Sequence, residues 1–557
     1  MAGWGTTEAL HVNAPNVFVT IYFNSGTRYY SNEFVNKYKG KIINFPQLRA
    51  SIGAVKRGWE RNKITIRFND SNYEFRGLED SETIGFKNLA VRIEVGFSLS
   101  GAVSSARFFD GTIYDWRRLP GPTFEIDICE KDLNLDRIYP EDRVELSDWP
   151  NAHDSAVGWV IPIIFPGIDS GGAYPGACGH PSLSDRTGLP FVDTAPGSEK
   201  HLIGSYGIDK SVAASCTPSR VYMNGVLQTF NVDYLYNSLV LPSGTSVEYI
   251  YWIGANPPTE NDFISCDITA DGFEPTASIY TFLLEYCGYV YADVNPTKYS
   301  IANFMGTSRG YKMKGMMWEP KPLRDWLDIW REEFEMDLWW DKNGWMCFNY
   351  LNASWQTGQR HYRDICDVLD YESNPQISEI VNRIKYGYNF NFSGSHFKNY
   401  ATKNDVPSQT KYQRVIDTFK GHYFTRDEAM AYDLVARRMI RMKDPVQFEK
   451  FKMPLNSYRE NLTEVMRVTH FEGPGAAGYV KNPFQVREYN LNVDNFTNDM
   501  ILENCVNYLG RACRLGDETL LAATWLLADS DDQEYCYLCD ETDGQFSNGD
   551  SGKLVVD

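Results

Sequence analysis

At 557 residues the chain exceeds what one hydrophobic core organises, so several modules are expected. Its 73 acidic side chains against 54 basic ones leave a formal charge of -19, which repels a nucleic-acid backbone and excludes phosphate binding as the main role of the surface. An acidic lumen past which DNA slides without sticking is compatible with the same charge.

Tyrosine (35) and phenylalanine (31) far outnumber histidine (8), which favours strand-rich packing. The expected class is mainly β with an α+β insert. MAGWGTTEALHVNAP carries no basic, apolar leader, and no window reaches the ~18 apolar residues of a membrane span. The chain is expected to be made in the cytosol, to stay soluble and to form no stable membrane association.

VFVTIYF (17–23) and TRYYS flank an NSG turn and read as a hairpin. KITIRFND (63–70), LAVRIEVGFSL (89–99), RFFDGTIYDW (107–116) and PTFEIDICE (122–130) follow at barrel-like spacing, with almost no 3.6-residue period. Residues 1–150 therefore read as a first β-barrel. GWVIPIIFPG (158–167), dry and proline-bracketed, opens a connector and hairpin insert over 151–270. IDSGGAYPGACGHPSLSDRTGLPFVDTAPGSEK after it reads as loop and irregular turn. SRVYMNGVLQTF (219–230) is a hairpin about Asn224-Gly225, and SVEYIYWIG (246–254) another strand.

Residues 271–365 read as a small α/β unit. Ile279, Phe282, Leu283 and Tyr286 form one helical stripe ending at Gly288. Leu323, Trp326, Leu327, Trp330 and Phe334 form a second behind two prolines. DLWWDKNGWMCFNYL then turns at Asn343-Gly344. In 366–500, ISEIVNRIKYGYNFNF (377–392) reads as a long strand, and TRDEAMAYDLVARRMIRM (425–442) as a helix opened by a Thr425/Glu428 capping box. QFEKFKMPL, LTEVMRVTHF and QVREYNLNVDNF complete a second barrel carrying that helix. Residues 501–557 read as a short strand and turn module. No residue-level repeat relates the two barrels.

Catalytic signatures are weak. HExxH and GxxxxGK[ST] are absent. NGDSGK (548–553) reads as a turn, and His470 at a strand end as a packing residue. Cys505, Cys513, Cys536 and Cys539 are the sharpest candidate for zinc or an iron-sulfur cluster. However, the alternation of EYCYLCDE sends Cys536 and Cys539 to opposite faces, so buried thiols are favoured and no cofactor is expected. DSDDQE (529–534) and DETDG (540–544) lack the spacing of a calcium loop. Trp326, Trp330, Trp339, Trp340 and Trp345 could stack on sugars, with Trp339 and Trp340 as the binding pair of a carbohydrate- or receptor-binding alternative. Their core-stripe spacing favours packing.

Four motifs occur in an order that resembles the baseplate or tail-tip hub proteins of long-tailed, siphovirus-like bacteriophages. Phe109 to Trp116 is similar to that family's F-x-G-x-I-x-D-W strand, and GWVIPIIFPG to the segment leaving its first barrel. Asn382 and Arg383, followed by Tyr386 and Tyr388, resemble its N-R-[VI] strand with alternating tyrosines. ARRMIRMKDPVQFEKFKMPL and VMRVTHFEGPGAAGY resemble its second barrel, and DDQEYCYLCDETDGQFSNGDSG its closing strand, with cysteines in place of apolar residues.

The resemblance implies a virion structural protein without an active site. It would be a homotrimer whose two related barrels adapt a threefold tip to a sixfold tail tube and line part of the DNA passage. The implied partners are a distal tail protein ring, the tape-measure protein C-terminus and tail fibre or tip proteins, with DNA only in transit. GWVIPIIFPG would then be a stiff, PPII-like strut between the first barrel and the insert. A tail-associated hydrolase is the remaining alternative, and no acid pair or separate enzymatic stretch supports it.

Overall fold

The computed structural model describes residues 16–505 apart from short internal runs, the longest being 169–187 and 351–360. Two large sheets and a mixed insert account for the mainly β architecture.

The first sheet has seven strands in the order Lys39–Gly40, Gly26–Ser31, Asn16–Phe23, Ala90–Leu99, Ala102–Leu119, Thr123–Glu130, Lys63–Asn69. Its pleat puts Phe124, Ile126 and Ile128 on the core side and Glu125 and Asp127 on the other. The predicted strands are present, together with a helix, Glu74–Ser81, that the sequence hides. With only Phe75 and Leu78 turned inward, its eight residues are too few to print a period. Asp70 Oδ1 starts it by accepting from the Phe75 N–H at 2.9 Å.

The second sheet runs His361–Arg363, Val465–His470, Tyr479–Asn492, Thr497–Asn504, Val446–Pro454, Asp370–Gln376. Here the sequence reading needs correction, because Gln47–Ile52, assigned to the first barrel, pairs with Tyr479–Asn492 in the register Tyr489↔Ala50. That 14-residue strand serves two partners along one edge. Val465–His470 takes its first half, Gln47–Ile52 its second, and a register shift at Val486/Glu488 divides them. The two sheets bury their apolar faces in one continuous core, which runs from Val17, Ile93 and Ile126 to Phe451, Phe484 and Leu502. They do not hold separate cores.

The connector also departs from expectation. Ile163–Phe165 is an interior strand of the insert sheet, parallel to Lys200–Tyr206 (Ile163↔Ser205) and antiparallel to Gly315–Met317 (Ile163↔Met317). Pro162 and Pro166 bracket it, and the Pro162 carbonyl accepts from the Ser205 N–H at 2.9 Å. Partners on both edges turn what would be a bare PPII run into a sheet strand. It is fully buried: Ile163 and Phe165 point into one core, Ile164 into another. Within the glycine-rich stretch that follows, Phe191–Asp193 is a buried strand paired with Lys200–Tyr206, so that stretch is not loop throughout.

Both predicted helices form, at Pro275–Cys287 with a left-handed Gly288 cap (φ 75°), and at Leu323–Glu333. A third, Pro296–Ser308, is capped by Asn295, whose side chain accepts from Lys298 N at 3.1 Å. Its residues fully buried in the fold are Ala302 and Gly306, so no stripe announced it. Arg383–Asn391 does not join the second large sheet. It is the middle strand of a separate sheet with His396–Asn404 and Ile416–Phe419, on which the Glu428–Met442 helix packs. That helix has Asp427 at its cap with no side-chain bond, and Thr425 pairs with the Tyr386 hydroxyl at 2.9 Å instead of forming the expected capping box.

Candidate functional site

The Met336–Trp340 and Met346–Tyr350 hairpin is a wall between two cores. Met336, Leu338 and Trp340 face the helices, while Trp339 faces the core shared by the two large sheets. Trp339 and Trp340 are 1% and 2% exposed, so neither ring offers a face to a sugar, and the glycan pair is corrected to core packing. Trp326 and Trp330 are likewise buried, and Trp345 is 37% exposed.

Cys505 is buried, its thiol donating to the Glu503 carbonyl at 3.1 Å. Cys513, Cys536 and Cys539 lie outside the described residues, as do NGDSGK and the acidic turns at 529–534 and 540–544. No metal-holding group of His, Cys, Asp or Glu occurs among the described residues. His470 stacks among Tyr371, Phe451 and Phe471, and its Nδ1 accepts from Glu472 N at 3.3 Å.

A Ser-His-Glu constellation also arises. His153 Nδ1 lies 2.7 Å from Ser155 Oγ, and Nε2 lies 3.3 Å from Glu260. The same Nδ1 accepts from the Ser155 N–H at 3.2 Å, which makes the contact a local turn closure instead of a base aimed at a nucleophile. A cavity of about 160 Å³ opens beside Trp340, lined by Asp136, Arg324, Asp328 and Arg331. Its charges pair off, with Arg324 to Asp136 at 3.1 Å and Arg331 to Asp328 at 2.9 Å.

The densest polar cluster went unread in the sequence. Arg441 grips Glu503 in a two-pronged contact, Nε to Oε1 and Nη2 to Oε2, both at 2.8 Å. Arg487 Nε donates to Glu503 Oε2 at 2.5 Å, and its Nη1 to Asp337 Oδ2 at 3.2 Å. All four side chains are buried. They tie the Glu428–Met442 helix, two strands of the second sheet and the hairpin into one unit. Beside them, Arg438 pairs with Glu335 at 3.0 Å. The available signal was positional: Arg438 and Arg441 occupy the buried stripe of Leu434 and Met442, where a solvated helix would carry apolar residues.

Three buried carboxyls, Glu333, Glu274 and Glu248, are raised by burial. Burial pushes Glu333 up to about 8, against the pull of the Phe424 and Tyr423 N–H groups donating at 2.6 and 3.1 Å. Burial pushes Glu248 up to about 7, with only Thr217 Oγ1 at 3.5 Å to offset it. A carboxyl raised in the fold favours folding fully below its unfolded value, about 4.5, and that contribution is lost as pH rises through 7. Glu248→Gln is therefore expected to match the parent near pH 4 and to be more stable above pH 7, by about 1 kcal/mol or more, in urea melts at both pH values.

The outer faces of the two large sheets carry ion pairs of mixed charge beside covered patches, Phe18 with Val35 and Tyr38 on the first and the buried Glu503–Arg487 layer on the second. On the first, Arg92 and Arg107 flank Asp110 at 3.1 and 3.4 Å, and Arg67 and Arg117 clasp Glu125. On the second, Arg49 meets Glu488 at 2.8 Å and Lys450 meets Glu372 at 3.4 Å.

No protein-family model matches the chain, and no curated protein matches it. Among solved structures it is similar to the 43 kDa tail protein of prophage MuSo2 from Shewanella oneidensis (TM-score 0.40, 9% identity, covering 89% of this chain and 98% of that one). It is also similar to prophage tail protein gp18 from Listeria monocytogenes EGD-e (TM-score 0.37, 7% identity, covering 92% and 98%). A third is a chain of the virion of a native gene transfer agent particle (TM-score 0.38, 11% identity, covering 65% and 87%).

Proposed function

We propose that the chain is a non-enzymatic structural protein of a phage-like tail: a trimeric hub at the tail tip that adapts a sixfold tube to a threefold tip and borders the DNA passage. The observation that carries this reading is the pair of large sheets, seven-stranded and eight-stranded, joined through one core and each carrying ion pairs of mixed charge on part of its outer face. Two such sheets per subunit give a threefold ring six comparable positions. A mixed-charge face lets a polyanion slide past without gripping it. The order of the sequence motifs supports the same assignment, and the polar constellations among the described residues close structure instead of presenting a nucleophile or a metal.

In this reading the ring contacts a distal tail protein, the end of the tape-measure protein and tail fibre or tip proteins. End-on electron micrographs of the purified protein should show threefold rings, and antibody should label virions at the tail tip. Particles without threefold symmetry, or label along the tube or on the capsid, would overturn the proposal.

A further inference from the structure

The strand Tyr234–Val240 ends the insert sheet, and no described strand pairs with its outer edge. Two other edge strands carry charges, Lys403 on His396–Asn404 and Asp370 and Glu372 on Asp370–Gln376. YLYNSLV carries no charge and no proline. On it, Tyr236 and Val240 are exposed, Val240 at 65%, as is Phe230, whose ring stacks on Tyr236.

The backbone fixes which groups are free. The Asp233 carbonyl accepts from Ile253 N at 3.0 Å and Leu241 N donates to the Thr245 carbonyl at 2.9 Å, so odd-numbered residues bond inward. Tyr236, Ser238 and Val240 therefore point their N–H and C=O groups outward. The Ser238 N–H is held meanwhile by the Asn237 side chain at 2.8 Å.

We infer that this edge pairs antiparallel with the same edge of a second copy, about a twofold axis through Asn237. The strand is its own complement in that register. Tyr236 and Ser238 of one copy face Ser238 and Tyr236 of the other as hydrogen-bonded pairs, and Leu235 meets Leu239. The stacked Phe230 and Tyr236 rings, 4.9 Å apart, cover Val240 of the partner copy diagonally. A strand bearing charges near its centre would set like against like in such a pairing, and this one has none to oppose. In a chain of net charge -19, a neutral patch is where copies can approach.

The inference does not depend on the threefold ring, and the mass of the full-length protein in light scattering separates the two. A dimer supports the strand pairing and sinks the ring; a hexamer supports both; a trimer supports the ring alone; a monomer overturns both. Ser238→Pro removes an outward N–H without touching the inner ladder, and Val240→Lys charges the edge; each should halve the mass with an unchanged circular dichroism melt. Asn237→Cys should give a disulfide-linked dimer on oxidation, because directly opposed non-hydrogen-bonded residues lie within disulfide reach. An unchanged mass in both edge variants, or no cross-link at 237, overturns the pairing.

Discussion

Glu503→Ala is expected to lower stability by about 3–5 kcal/mol, seen as a large fall in the urea midpoint and in Tm. The loss does not measure an attractive pair. It follows from stranding the guanidinium groups of Arg441 and Arg487, which Glu503 neutralises at 2.5 to 2.8 Å in a layer closed to water. Replacing Glu503, Arg441, Arg487 and Asp337 together with Leu or Met should therefore cost far less than the single change, and under about 2 kcal/mol if the apolar side chains fill the volume. A combined variant as unstable as Glu503→Ala would show that the layer contributes through geometry that hydrocarbon cannot replace. The exposed counterpart, Glu372→Ala opposite Lys450, should change stability by less than about 1 kcal/mol.

Phe165→Ala carries the second large effect, about 3–5 kcal/mol in the same measurement. Phe165 is fully buried, with Phe424, Trp330 and Phe282 ring centroids at 5.7, 6.2 and 6.4 Å. Its strand is held on both edges, so the backbone cannot collapse into the cavity. Trp345→Ala removes a larger ring from a half-exposed position at the hairpin turn and should cost less than a third as much. If the two variants lose equal stability, the interior placement of the connector strand is wrong.

What could be read in the sequence was whatever repeats locally. Alternation gave the strands of the first sheet, the Leu323–Phe334 stripe gave its helix, and Asn224-Gly225 and Asn343-Gly344 gave their turns, with both glycines at positive φ. Two family-like motifs have a physical basis in the fold. A Cβ on Gly111 would fall 2.2 Å from the Cys129 carbonyl oxygen. Asn382 is buried and pins the Gln413–Val415 turn, donating to the Gln413 carbonyl at 2.7 Å and accepting from Val415 N at 2.8 Å.

Long-range pairing was not legible. Nothing in the stretch Gln47–Ile52 says that its partner lies at Glu488–Asn492, because strand period fixes a face and not a neighbour. The buried arginines escaped for a related reason. A charge on an apolar stripe looks like an interruption until the carboxylate that meets it, 62 residues away for Arg441 and Glu503, is known. For the tryptophans the stripe spacing already favoured packing over a sugar-binding face, and the fold buries Trp339 and Trp340 in the hairpin.

The divided strand Tyr479–Asn492 sets an order of events during synthesis. Residues 47–52 leave the ribosome first among the strands of their sheet and must wait through more than 400 residues of translation for their partner. Until then the nascent chain carries a loose ribbon beside a half-covered hydrophobic face, and a chain halted before residue 479 keeps that defect permanently. Completion of the last strands is thus the step that seals the first ones, which makes late truncation as damaging to the amino-terminal half as to the part removed.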